Sequence, residues 1–192
     1  RIPNLKNLLI VKENVPWFEH CYLELLKHRN INSSPMVVGL SYGGANLLKS
    51  SLSKSMQNNP PKSILSYGTY FSIESALDFF VTGNITYNHK SFHITPHEWG
   101  TIVIFYNFIR TIETNHDQEK ITKLLKYRIE DNDLEVDKTK KSLNDNDKKL
   151  IEKILTGKID HNIKLLIDQM IDLNRDLLEY LSPQKWAKDI TI

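Results

Sequence analysis

Pro35-Met36-Val37-Val38-Gly39-Leu40-Ser41-Tyr42-Gly43-Gly44-Ala45-Asn46-Leu47-Leu48 is the stretch on which the reading of this 192-residue chain turns. Met36–Leu40 is a short, continuously apolar, β-rich run, the kind that suits a strand buried on both faces of a parallel sheet. From Ala45 onward, Leu47 and Leu48 restore a helical spacing. Between the two, Gly39, Ser41 and Gly43 fit the pattern Gly-x-Ser-x-Gly, extended by Gly44. That pattern predicts a very tight strand-to-helix turn with a strained backbone at the serine. Side chains two before and two after would collide with the adjoining strand and helix, so glycine is expected at 39 and 43. The Ser41 hydroxyl then stands clear above the sheet. The Tyr42 N–H opens the following helix and can donate to a developing oxyanion, aided by the helix's positive end.

Upstream, residues 5–11 are apolar and predict a short strand or a loop edge. Pro16 is expected to open a helix whose buried face carries Phe18, Tyr22, Leu25 and Leu26, and Asn30–Pro35 is a polar break. Downstream, the helix after Ser41 is expected to end before the breaker Asn58-Asn59-Pro60-Pro61, and Ser63–Gly68 reads as the next strand. Residues 16–68 thus run helix, strand, helix, strand, which predicts parallel strands joined by a crossover.

The character changes after Phe71. A short helix over Glu74–Val81 is closed by Gly83, and residues 85–93 predict a small hairpin with a polar turn at Asn88-His89-Lys90. The rest is helical. Thr95 is the expected N-cap of a helix bearing Ile102, Val103, Phe105, Tyr106 and Ile109, with Pro96 first and Glu98 third. Asp117, Asn144 and Asp160 are the expected caps of three more. Their apolar positions are Ile121, Leu124, Leu125 and Ile129; Leu150, Ile151, Ile154 and Leu155, stopped by Gly157; and Ile163, Leu166, Ile167, Met170 and Ile171. Between Glu130 and Lys149 interleaved charges predict a solvated pair of surface helices, with a docking surface as the sharper alternative. Ser182-Pro183 starts a last helical turn, and Asp189-Ile190-Thr191-Ile192 reads as a strand beginning. A chain opening on Arg1 and closing on that run is expected to be a piece of a longer protein.

Hydrophobic residues at 40% and charged residues at 25% describe a folded domain and exclude a disordered chain. A net charge of +2 with no dense basic stretch argues against nucleic acid as a partner. The apolar runs are too short for a transmembrane segment, and the compartment expected is cytoplasmic. The single cysteine, Cys21, excludes a disulfide framework and is expected to be a small buried hydrophobe. Seven histidines are present: His20, His28, His89, His93, His97, His116 and His161. His93, His97 and Glu98 lack a convincing third metal ligand and read as capping or pocket-edge residues, so no metal site is expected.

Pro35–Leu48 resembles the nucleophile-elbow segment of the α/β-hydrolases, and Ser63–Tyr67 corresponds in position to the core strand that follows it. The resemblance implies an α/β fold. Residues 1–72 would form part of a hydrolase core, 73–181 a large α-helical cap insertion, and 182–192 a return to the core. It implies Ser41 as nucleophile and the Tyr42 N–H as one oxyanion donor, with Tyr42, Tyr67, Tyr70 and Phe71 at a pocket for a small or medium acyl or ester substrate. Serine at this position favours ester, thioester or amide acyl transfer over the dehalogenase and epoxide-hydrolase branches, which use aspartate. No cofactor is implied. The family's chain order, Ser then Asp or Glu then His, puts the acid and base beyond residue 192, and the second oxyanion donor before Arg1. One alternative is a non-catalytic binding protein that keeps the fold without a complete triad. Another is an all-helical scaffold that merely contains a glycine turn.

Overall fold

The computed structural model describes residues 2–28 and 33–190. The chain forms two compact units, Arg1–Ile73 with Asp176–Ile192, and Glu74–Arg175. The second boundary lies at Arg175/Asp176 rather than at 181/182.

In the first unit, one turn of helix, α1 (Pro3–Lys6), leads into a loop with Leu8 at φ 52° and Ile10 buried. No strand forms over 5–11. Helix α2 (Asn14–Leu26) begins two residues before Pro16, which fits because the first-turn N–H groups have no intrahelical acceptor to lose. Strand β1 (Met36–Leu40), helix α3 (Tyr42–Ser50), a short helix α4 (Lys54–Asn58) and strand β2 (Ser63–Tyr67) follow. The Ser53 hydroxyl caps α4 by accepting from the Met56 N–H at 3.2 Å. The strands pair in parallel, Met36 opposite Ser63 through Leu40 opposite Tyr67. This pairing rules out the all-helical alternative.

Helices α2 and α3 cover one face of that sheet. Tyr22, Leu47 and Met56 are buried there, with Phe18, Leu23, Leu26, Val37 and Ile64 packed against them. The other face corrects the expectation of strands buried on both sides. Met36, Val38 and Leu40 of β1, and Leu65 and Tyr67 of β2, are all at least half exposed. Side chains alternate along a strand, so one helical layer hides only every second residue. Leu25 and Cys21, expected inside, are exposed as well, because α2 turns the side bearing Phe18, Tyr22 and Leu26 toward the sheet.

The later part of this unit closes on α3. It holds most of α11 (Arg175–Leu181), then α12 (Pro183–Trp186) and a 3-10 turn at Ala187–Asp189. Asp189 therefore belongs to a helical turn rather than a strand, Ile190 is extended without pairing, and the rest of the predicted strand lies outside the described residues. The Lys49 ammonium of α3 sits 4.9 Å from the Tyr180 ring and 4.8 Å from the Trp186 ring. Burial pulls its pKa down, and Asp189 partly offsets this. Ser182 Oγ accepts from the Ile73 N–H at 3.0 Å and donates to the Leu178 carbonyl, and the Gln184 N–H donates to the Phe71 carbonyl.

The second unit is helical apart from one hairpin. Helix α5 (Ile73–Thr82) ends at Gly83, φ 69°, and leads into β3 (Asn84–Tyr87) and β4 (Lys90–His93), which pair antiparallel. Asn88 and His89 both have positive φ, the requirement of the tight turn whose twist matches a hairpin. Helix α6 (Glu98–Phe108) is capped by His97, not Thr95: the His97 ring nitrogen accepts from the Trp99 N–H. The Ile94 N–H bonds the Gly83 carbonyl, which keeps the chain extended past the hairpin and delays the helix. Next come a 3-10 turn at Ile109–Thr111, α7 (Gln118–Ile129), α8 (Asp133–Lys141), α9 (Asp145–Thr156) and α10 (His161–Leu173). Asp117, Asn144 and Asp160 cap α7, α9 and α10, and Gly157 ends α9 in the left-handed region.

Helix α6 packs on α7, α9 and α10 and is buried almost all round, at Ile102, Ile104, Phe105 and Phe108 among others. The charged stretch 130–149 holds α8 and the start of α9. It is less solvated than its composition suggests, because Val136, Leu143 and Asp147 are buried.

Candidate functional site

Ser41 joins β1 to α3 with φ 49° and ψ −131°, a combination that non-glycine residues rarely adopt. Such a residue costs on the order of 1–3 kcal/mol and persists only where its surroundings hold it. Here the surroundings are hydrogen bonds on both sides of the residue. The Ser41 N–H donates to the Tyr67 carbonyl at 2.9 Å, extending the parallel ladder by one step. The Ser41 carbonyl accepts from the Gly44 N–H at 3.0 Å and from the Thr69 hydroxyl at 2.8 Å. Ser41 is exposed, and its own hydroxyl is bonded to none of the described residues.

Two glycines make the turn possible by close approach. A Cβ on Gly39 would lie 2.5 Å from the Gly44 Cα. A Cβ on Gly44 would overlap Thr69 Oγ1 and lie 2.5 Å from Ser66 Oγ. At Gly43, by contrast, a Cβ would meet only the Phe18 ring at 3.4 Å, an ordinary contact. The steric demand expected at 39 and 43 therefore falls on 39 and 44. The turn brings α3 down on the end of β2 one residue later than the pattern implies.

Tyr42 is the first residue of α3, so its N–H has no carbonyl one turn back to bind. Its side chain points toward the start of α2. The phenol oxygen accepts from Asn14 Nδ2 at 3.1 Å, and Asn14, fully buried, also donates to the Leu9 carbonyl at 2.8 Å. Asn46 Nδ2 bonds the Tyr42 carbonyl at 2.9 Å. Burial pushes the Tyr42 phenol pKa up, and donors from Asn14, Asn46 and Val11 partly offset this. The Tyr70 ring lies 6.3 Å from that of Tyr42, and burial raises its pKa further, with Tyr42 adding to the shift. The Tyr70 hydroxyl, Asn14 Oδ1 and Asn46 Oδ1 are buried with no hydrogen-bond partner among the described residues. Of the four residues expected at a substrate pocket, the structure therefore pairs Tyr42 with Tyr70 beside the elbow. Tyr67 points out on the open sheet face, and Phe71 is 63% exposed. Asn14 and Thr69 escaped the sequence reading, because nothing at either position departs from an ordinary helix start or turn.

None of the described histidines bonds Ser41. His20 stands edge-on to Trp17, His93 pairs with Asn84, His97 caps α6, and His161 opens α10. In the second unit, His116 Nδ1 lies 2.7 Å from Asp147 Oδ1. Asp147 is fully buried and also accepts from Asn144 Nδ2 and the Asp117 N–H. His116 lines an open groove of about 640 Å³ with Glu113, Thr114, Asn115, Asn162 and Gln169. Asp147 thereby ties the 113–117 loop to the start of α9. Among the described residues no group of three or more His, Cys, Asp or Glu is placed to hold a metal ion. No helix there is long and apolar enough to cross a membrane.

Compared with known protein families, curated proteins and solved structures, the chain matches none.

Proposed function

We propose that the chain carries the nucleophile of a serine hydrolase of the α/β-hydrolase type, acting on a small or medium acyl ester, thioester or amide. One observation carries the reading: Ser41, an exposed residue, holds a strained, positive-φ backbone between a parallel strand and a helix N-terminus. In the reaction, Oγ attacks the acyl carbon and loses its proton to a base. The carbonyl oxygen, now negative, accepts a hydrogen bond from the Tyr42 N–H, and the alcohol, thiol or amine leaves with the proton the base took. Water then attacks the Ser41 acyl ester, releasing the carboxylic acid and restoring the hydroxyl. Tyr42, Tyr70 and Phe71 would serve as residues near the acyl group. The base and acid are proposed from the family's chain order to follow residue 192.

The second reading is a binding protein that keeps this fold without catalysis. It is favoured by the Ser41 hydroxyl having no imidazole partner among the described residues. Serine without a base is a poor nucleophile.

A fluorophosphonate probe separates the two, because Oγ must displace fluoride to form a stable adduct. The full-length protein is expected to be labelled at Ser41, and Ser41→Ala to lose the label. Labelling that persists in Ser41→Ala, or a parent that never labels, removes the hydrolase reading. The second result leaves the binding protein.

A further inference from the structure

We infer that Thr69, backed by Ser66, is the positioning residue that holds the Ser41 peptide in its reactive conformation. The inference rests on the hydrolase reading for its catalytic consequence, and on geometry alone for the brace itself.

The brace is a chain of two hydroxyls. Ser66 Oγ donates to Thr69 Oγ1 at 2.8 Å, and Thr69 Oγ1 donates to the Ser41 carbonyl at 2.8 Å. A carbonyl oxygen has two lone pairs, and at Ser41 the Gly44 N–H takes the other. The Thr69 oxygen is at once donor and acceptor, so the Ser66 bond polarises it and strengthens the bond it makes. The backbone delivers Thr69 to this place. Gly68, immediately after β2, has φ 63° and open space around its α-carbon, so the glycine there serves the bend and not a close approach. The bend turns the chain from the end of β2 back toward the end of β1, where Ser41 stands.

Gly44 is the counterpart on the helix. Any side chain at 44 would occupy the volume held by the two hydroxyls. The second glycine of Gly43-Gly44 and the pair Ser66 and Thr69 are thus complementary parts of one device. The Tyr67 carbonyl and Thr69 come from the same short segment, so the end of β2 grips Ser41 at both its N–H and its carbonyl. A positive φ at a serine has no intrinsic support, and removing one of its few anchors should let the residue relax toward an ordinary conformation.

The test uses the full-length protein, a fluorophosphonate probe and three variants. Thr69→Val keeps the shape and removes the donor. It is expected to slow the maximal rate of Ser41 modification about tenfold while leaving the probe's half-saturation concentration unchanged. Thr69→Ser restores the hydroxyl and is expected to return the rate to within about twofold of the parent, an effect that loss of packing alone would not produce. Ser66→Ala is expected to fall between the two.

Amide hydrogen exchange reads the brace without any chemistry. The Ser41 and Gly44 N–H groups should exchange faster in Thr69→Val, with the remaining amides of α3 unchanged. If the parent is never labelled, the hydrolase reading fails while the exchange result still decides the brace. Unchanged exchange at Ser41 and Gly44 overturns the inference. So does Thr69→Val labelling at the parent rate, or Thr69→Ser labelling as slowly as Thr69→Val.

Discussion

The two units of this chain enclose their apolar residues to different degrees. In Glu74–Arg175, Ile102, Ile104, Phe105, Ile121, Leu124, Leu125, Ile151 and Ile154 have no solvent exposure at all. In the first unit, Met36 and Leu40 are each 63% exposed, although both sit in its only parallel sheet among the described residues. The difference follows from how each element hides its side chains. A helix gathers its apolar residues on one side, and other helices packed against it, here α7, α9 and α10 around α6, complete the enclosure. A strand sends alternate side chains to opposite faces and needs a layer on each. Helices α2 and α3 supply one layer, and the described residues supply no second. The proposed reactive residue therefore stands in the unit with less of its apolar surface enclosed, held by local hydrogen bonds rather than by a deep core.

That contrast can be pressed from its strongest consequence to its weakest. Phe105→Ala removes a fully buried ring from the centre of the helical unit and should lower stability by about 3–5 kcal/mol, measured by urea denaturation. A loss below about 1 kcal/mol would mean that this core is loose, and the comparison would collapse. Gly44→Ala forces a methyl group into the space of the Thr69 and Ser66 hydroxyls and should cost about 1–3 kcal/mol. The same change at Gly43 meets only ordinary contact with Phe18, so its cost should be clearly smaller. Equal costs at the two positions would contradict the close approach placed at 44. The smallest effects belong to the open sheet face. Val38→Thr and Leu65→Thr should each change stability by no more than about 0.5 kcal/mol. A loss of about 2 kcal/mol or more at either would show the face to be covered in solution, and the asymmetry between the units would then disappear.

The elbow was legible because its signals are local. Gly39, Ser41 and a glycine doublet between an apolar run and a helical spacing leave few backbone solutions, and the parallel pairing of β1 with β2 follows from the helix between them. The helix caps Asp117, Asn144 and Asp160 were legible for the same reason, since each bonds an N–H three residues on. Thr95 failed as a cap because the hairpin's last hydrogen bond, a contact outside the helix's own sequence, held the chain extended until His97. Leu25 failed because periodicity names an apolar side of a helix without saying which part of it meets a neighbour, and Cys21 failed because the usual burial of a free cysteine says nothing of its place on the helix. The His116–Asp147 pair spans 31 residues and left no pattern to read.

Sequence alone determined the helix, strand, helix, strand order around the elbow and the position of the strained serine, because backbone sterics and capping act within a few residues of their cause. Only the tertiary structure decided which glycine makes room, which hydroxyl grips Ser41, and which face of the sheet stays open. Those depend on distances between segments far apart along the chain. Ser41 and Thr69 are 28 residues apart, and only the pairing of β1 with β2 makes them neighbours.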